Sequence, residues 1–417
     1  MSGSNPPAAA SPAADDGITA ALATAKRIRS QVLDELKLDF VGKDEVIDLL
    51  GVCLAAGENL FLLGPPGTAK SAIVRALAAR LEGRCFDYLL TRFTEPAELF
   101  GPFDIRRLRE GELVTNTEGM LPEADILFLD ELLNANSAIL NSLLMALNER
   151  VFRRGRESRD LNFVLAVGAS NRLPEDEALG ALFDRFLLRV RSDNVPTDQL
   201  NSVLTAGWKL QQQEAVGWTA PRSVSVAEIR QLQKTIPRID ISPIRTEYVS
   251  LIRRMRNAGI DVSDRRAVRL QRLIAAGALL CGRQTVDCSD LWVLKYIWDT
   301  AEQVEVLAGI VNEAIDAESS ARTIADTQRH PRSRAADLPD PDAIARSLDR
   351  LISDWGEAAD DSLRRSWIRD QASLLAGRID WVESVASRDF LRQRLQQLSD
   401  NFNTTADRFG SDPSGES

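Results

Sequence analysis

The chain has 417 residues, 44% apolar and 27% charged, with a formal net charge of −10. That length carries two or three domains with cores of their own. The acidic balance argues against a broad nucleic-acid-binding face, and no apolar run approaches the roughly 20 residues of a membrane span. A single histidine, His330, stands in a polar, proline-containing stretch, which excludes a histidine-based zinc site or a Ser-His-Asp triad. Four cysteines in a chain this size are no disulfide framework, so a reducing cytoplasm is expected. Cys281 and Cys288 are close in sequence, but two unassisted thiols read as core residues.

In chain order, "MSGSNPPAAASPAADDG" reads as a disordered tail (1–17) without a signal-peptide pattern. An α/β domain then spans 18–196. Its short apolar runs, "NLFLL" (59–63), "CFDYLL" (85–90), "DILFLD" (125–130), "FVLAVGAS" (163–170) and "FLLRVR" (186–191), alternate with helical patterns. Continuously apolar strands suit a parallel sheet covered on both faces. The helix within 134–150 should bury Ile139, Leu143, Leu144 and Leu147. From 197 to 300 the strands give way to an all-α domain, in which "RAVRLQRLIAAGALLCG" (266–282) is a helix stopped by Gly282. A helical extension (301–405) follows, with a long helix near 299–320, a polar linker near 326–342 and a terminal tail (406–417). Ile344, Leu348, Leu351, Ile352 and Trp355 form one stripe, and Leu391, Leu395 and Leu398 another. Either stripe suits packing within the subunit or docking of a partner. Trp355, Trp367 and Trp381 are anchors of the type found at interfaces.

Between the first strand and the first helix lies "GPPGTAKS" (64–71). It matches G-x-x-x-x-G-K-[ST] except that Ala69 replaces the last glycine. Gly64 and Gly67 permit turns that aim backbone N–H groups at polyphosphate oxygens, at the positive end of the following helix. Lys70 supplies a point charge for the β- and γ-phosphates and Ser71 a hydroxyl for Mg²⁺. Alanine at 69 is tolerable if its backbone is already helical, since only positive φ demands glycine.

"ILFLDE" (126–131) ends a strand in two acids: Asp130 to hold magnesium, partly through water, and Glu131 to orient or deprotonate the attacking water. Asn171, after the fourth strand, would fix that water and the γ-phosphate. Arg185, before the fifth, can reach a neighbouring subunit's γ-phosphate or form an ion pair with Asp184 or Glu177. In "VSDRR" (262–266), Ser263 is an N-cap. Arg265 then projects toward nucleotide between the domains, with Arg266 as the competing choice.

Together these residues resemble the AAA+ ATPases, specifically the MoxR family and its RavA-like branch. The motifs are "GPPGTAKS", "FTEPAELFGP" (93–102), "GMLPEADILFLDE" (119–131), "NANSAILNSLLMALNER" (134–150), "ASNRLPEDEALGALFDRFLLR" (169–189) and "VSDRR", in the family's order over about 35–300. The resemblance implies a five-stranded parallel sheet of order 5-1-4-3-2, an α-helical lid and a ring, usually hexameric, with nucleotide at subunit boundaries. It implies Walker A at Gly64, Pro65, Pro66, Gly67, Thr68, Ala69, Lys70 and Ser71, flanked by Ala72. Walker B falls at Asp130 and Glu131, sensor 1 at Asn171, an arginine finger at Arg185 and sensor 2 at Arg265. Val41 and Gly42 match the stretch around adenine. "FDIRRLREGELVTNTEGML" (103–121) matches a β-hairpin inserted in helix 2. Asn134 stands where the family often has lysine. The C-terminal portion carries no discoid-domain pattern, so partners known through that extension do not transfer. The family works with von Willebrand factor A domain proteins as chaperone-like remodelling or metal-insertion machines. Protein clients are therefore expected, with ATP and Mg²⁺ as cofactors. A nucleic-acid motor of the same fold and an ATP-binding scaffold are the competing readings.

Overall fold

The structure, a computed structural model, describes residues 12–110, 112–154, 157–174, 182–216, 220–319, 330–333, 341–357, 362–379, 382 and 385–409. Five of the apolar runs become strands: β1 (Leu60–Leu63), β2 (Cys85–Leu89), β3 (Ile126–Asp130), β4 (Leu165–Ser170) and β5 (Leu188–Arg191). All pair parallel, in the order β2-β3-β4-β1-β5, the expected order read from the opposite edge. The central strands β1 and β4 are buried throughout, while β2, at an edge, exposes Cys85 and Leu89. Burial on both faces is why the central runs carry no alternation.

Parallel neighbours need crossovers. Helix Lys70–Arg80 links β1 to β2, and helix Ser137–Glu149 links β3 to β4. The latter starts where the Asn136 side chain accepts from the Ile139 amide at 3.1 Å. It buries Ile139, Leu140, Leu143, Ala146 and Leu147. Leu144, expected on that face, is only half-buried, and Leu140 takes the place.

The chain divides into two compact units. The first comprises Met1–Arg29, Glu45–Asn194 and Ala220–Ser333. Besides the sheet it holds helices Arg245–Asn257, Asp264–Leu280 and Gln303–Ser319. Ser263 caps the second of these, accepting from the Arg266 amide at 3.2 Å, and Gly282 beyond its end has φ +80°. Residues after 197 are not strand-free: Val224–Ser225 pairs parallel with Leu81–Glu82. Ser225 then joins Glu228 in a capping box that opens helix Val226–Thr235.

Two other expectations need correction. The hairpin proposed for 103–121 is reduced to one antiparallel bridge, Phe103↔Thr115, among the described residues; Gly111 lies outside them. Asp104 accepts from the amides of Arg106 (2.8 Å) and Arg107 (3.4 Å), which turns the chain into helix Ile105–Arg109 instead of a longer ladder. A true antiparallel pair, Val151–Arg154 with Glu157–Asp160, follows helix Ser137–Glu149. His330, assigned to the linker, is instead buried and stacks on Trp292 at 4.2 Å between centroids. Its Nδ1 accepts from the Arg332 amide at 3.1 Å. Residues 326–329 and 334–340 lie outside the described residues.

The second unit gathers Ser30–Asp44, Val195–Thr219 and Arg334–Ser417. Helices Pro341–Glu357, Ser362–Ile379 and Val385–Phe409 form a core of Ile344, Leu348, Leu351, Ile368, Leu375 and Leu391 among others. Leu38, from helix Asp34–Asp39, joins the same core. The tail stripes thus pack on each other within the subunit. Trp355 is no interface anchor: it is 5% exposed, and its Nε1 donates to the Asn401 carbonyl at 3.2 Å. The side chain of Trp367, and Trp381, lie outside the described residues. No helix among the described residues is long and apolar enough to cross a membrane.

Candidate nucleotide site

The strand order assembles the site. Because β4 lies between β1 and β3, the residues leaving the C-terminal ends of these three strands become neighbours. In register, Leu63 faces Ser170, Leu129 faces Gly168, and Leu89 faces Asp130, so those ends are level. Gly64 to Ser71 leave β1, Asn171 leaves β4, and Glu131 follows β3. Open α/β sheets bind ligands at this edge.

The phosphate loop is fixed from several sides. The Gly64 amide donates to the Ser170 carbonyl (3.0 Å), and the Ser192 amide to the Leu63 carbonyl (2.7 Å). The Ser192 hydroxyl donates to the Thr68 carbonyl (3.0 Å), and the Thr68 hydroxyl to that of Pro65 (2.9 Å). Gly64 is required for closeness: a Cβ there would lie 2.3 Å from the Ser192 carbonyl oxygen. Gly67 is required for its φ of +82°. Pro65, Pro66 and Gly67 are exposed at the tip, and Ala72 is exposed in the first helical turn.

Ala69 corrects the expectation made for it. Its φ is +66° and ψ 15°, left-handed, at the N-cap of helix Lys70–Arg80. The position thus has the conformation that glycine serves at least cost, and alanine holds it under strain of about 1–2 kcal/mol. The bonds at Thr68, and the Ile73 amide donating to the Ala69 carbonyl at 2.9 Å, hold it there.

Lys70 is buried, and its ammonium donates to the carbonyls of Gly64 and Pro65, both at 2.8 Å. Two acceptors leave the third N–H to point elsewhere. Ser71 is half-buried beside it. Glu131 has φ +50°, a second left-handed residue without glycine's freedom, and its amide donates to Asp130 Oδ1 at 3.0 Å. Strain of this kind concentrates at functional sites. Burial first, then the Asp130 charge, raises the Glu131 carboxyl above its ordinary value, against opposition from Lys70 and Arg172.

Asn134 and Arg172 join this group in a way the sequence did not announce. Asn134 Nδ2 donates to Glu131 Oε2 at 3.3 Å, and Arg172 Nη2 donates to Asn134 Oδ1 at 3.4 Å. Asn171 itself is exposed at the same strand end. Ser71 and Asp130 are hard oxygen donors of the type magnesium takes, and Lys70 with the loop amides matches a polyphosphate.

Arg185 and Arg265 form a second cluster. They line a cavity of about 280 Å³ that includes none of the strand-end residues above. Arg265 Nη2 donates to Asn148 Oδ1 at 2.7 Å, and Arg185 Nη1 to the same oxygen at 3.4 Å. Arg266 differs from its neighbour. It is held by Asp299 (3.0 Å), the Asp261 carbonyl (2.9 Å) and the Ile297 carbonyl. Arg189 is fully buried against Asp299 at 2.9 Å, and burial, with Arg266 nearby, lowers its pKa to about 9. Val41 and Gly42 belong to the second unit. There Gly42 has φ +73°, and a Cβ would lie 2.7 Å from Val195 Cγ1.

Residues 26–234 match the MoxR domain of MoxR-vWA-beta-propeller ternary systems, and residues 240–311 match an AAA lid domain. Two uncharacterized proteins of Methanocaldococcus jannaschii are each 34% identical. One aligns over 67% of this chain and 73% of its own length, the other over 64% and 70%. Chaperone MoxR1 of Mycobacterium tuberculosis is 26% identical over 43% of this chain and 47% of its own. A crystal structure of an ATPase candidate from Cytophaga hutchinsonii shares the fold, with a TM-score of 0.59 and 18% identity over 72% of this chain and 97% of that one. None of these relatives bears the RavA name; that branch rests on the motifs alone. The sheet order, the lid and these matches make the chain a member of the MoxR family of AAA+ ATPases.

Proposed function

We propose that the chain is a Mg²⁺-dependent ATPase that works as a ring, each site completed by a neighbouring subunit, to remodel or activate protein clients. The observation that carries this reading is the split of its candidate site residues into two clusters. Lys70, Ser71, Asp130, Glu131 and Asn171 gather at the strand ends, while Arg185 and Arg265 share a separate cavity. A phosphoryl-transfer site needs both sets, and two copies side by side supply both.

Bound Mg²⁺–ATP supplies the phosphoanhydride and the divalent charge. Lys70 and the loop amides would hold the β- and γ-phosphates, and Ser71 and Asp130 would hold the metal. Glu131 takes a proton from the attacking water, which Asn171 orients. Burial keeps Glu131 a stronger base than an exposed glutamate. Arg185 and Arg265 stabilise the charge that develops on the neighbour's γ-phosphoryl group. A von Willebrand factor A domain protein is the proposed partner. The description of the matched MoxR domain, which places it in such ternary systems, supports that choice. The chaperone name of the mycobacterial relative supports a protein client.

The test is complementation. Glu131→Gln and Arg185→Ala should each bind ATP yet turn over at least about 10²-fold more slowly. Mixed with verified subunit exchange, they should exceed both parents, because some boundaries pair an intact Glu131 with an intact Arg185. Exchanged mixtures that never exceed the parents refute a shared site.

A further inference from the structure

We propose that Asn148 is a positioning residue: its one side-chain oxygen gathers Arg185 of the α/β core and Arg265 of the lid into a single anion-facing pair. The proposal rests on the reading of Arg185 given above.

Asn148 is the last residue but one of helix Ser137–Glu149, which stops sharply because Arg150 at its C-cap is left-handed (φ +56°). The amide side chain is therefore presented at the end of a rigid helix rather than on a loop. An amide oxygen has two lone pairs, enough for two donors. Here it takes both, Arg265 Nη2 at 2.7 Å and Arg185 Nη1 at 3.4 Å. The backbone of Arg185 is fixed separately: the buried Asn59 side chain donates to its carbonyl at 3.1 Å. Asn148 thus sets the direction of a guanidinium whose main chain is already anchored.

The neutrality of Asn148 matters as much as its geometry. Like charges brought together repel, and a carboxylate would relieve that by cancelling the charge that a phosphoryl group must meet. Asp299 is the least exposed acid lining the same cavity, and it is taken up by Arg189 (2.9 Å) and Arg266 (3.0 Å). Among the described residues, Arg185 and Arg265 are held by an uncharged acceptor and keep their charge for an anion. Arg265 lies in the first turn of helix Asp264–Leu280, so the contact also ties the lid's orientation to that of the core arginine. A lid movement that pulls Arg265 away takes half of the pair with it.

Asn148→Leu keeps the branching at Cγ on an exposed side chain and removes the acceptor. It should lower kcat for ATP by about tenfold or more while the KM moves by less than about threefold, since the pair acts in the transition state. Adding Arg265→Ala to Asn148→Leu should cost less than the product of the single effects, because the two act through each other. Mixed with Glu131→Gln subunits, Asn148→Leu subunits should regain activity above either parent. Asn148→Ala serves in the same assays if the leucine variant does not assemble. Unchanged kcat, strictly multiplicative effects, or a slow variant that Glu131→Gln does not rescue while Arg185→Ala is rescued, would each overturn the proposal. If neither mixture is rescued, the reading of Arg185 itself falls, and the proposal with it.

Discussion

Ala69 offers a test in which two backbone conformations give opposite signs. The residue is left-handed, with φ +66°. An L-residue pays about 1–2 kcal/mol for that conformation, and glycine pays almost nothing. Glycine also widens the unfolded ensemble, which costs about 0.4–1 kcal/mol. The difference leaves Ala69→Gly stabilising by about 0.5–1 kcal/mol. Were residue 69 helical, as the sequence suggested, alanine would be the better residue and the same substitution would destabilise by up to about 1 kcal/mol. No side chain is lost beyond one methyl on a half-buried residue, so packing does not blur the sign. Urea unfolding followed by circular dichroism, with the slope m unchanged between the two proteins, measures it. Destabilisation by about 1 kcal/mol would refute the left-handed loop and the strain argument with it.

Two further outcomes follow from charges. Burial and Asp130 raise the Glu131 carboxyl above its ordinary value of 4.5, and only the ionised form accepts a proton from water. The acid limb of kcat/KM should therefore lie above 4.5, with rate lost as pH falls through it; a limb at or below 4.5 in folded protein contradicts this placement of Glu131. Asp299→Ala leaves the buried Arg189 and the largely buried Arg266 without their shared carboxylate, and should destabilise by about 3 kcal/mol, the lower end for a broken buried pair. A loss under about 1 kcal/mol in urea unfolding would mean that water already compensates the two guanidinium groups.

The sheet was legible because its causes are local. Runs such as "NLFLL" and "DILFLD" are apolar throughout, which only a strand buried on both faces tolerates, and the turn-forming glycines and prolines bound them. The helix cap at Ser263 was equally local. Less of this held where distant segments compete. The tail stripes could be recognised as buried faces but not assigned a partner, because one ridge of leucines suits any other. Their partners are each other and Leu38, some 300 residues earlier in the chain. His330 was assigned to a linker because its sequence neighbours are polar, yet Trp292 and the Arg332 amide settle its position.

At the candidate site, residue types were legible and conformations were not. A motif says that Lys70 and Glu131 stand beside phosphate, but not that residues 69 and 131 are both left-handed. The backbone there is dictated by hydrogen bonds from residues far off in sequence, such as Ser192 to Thr68. Distant contacts also distinguish Arg265 from Arg266. Adjacent on one helical turn, they are equivalent in a sequence. Asp299, the Asp261 carbonyl and the Ile297 carbonyl enclose Arg266, and Arg265 is left to the neutral Asn148. A guanidinium already paired with a half-buried carboxylate has little charge to offer a ligand. Among the described residues Arg265 is held by an amide alone and retains its charge, and that difference, rather than position in a motif, is why we propose Arg265 over Arg266 to meet a phosphate.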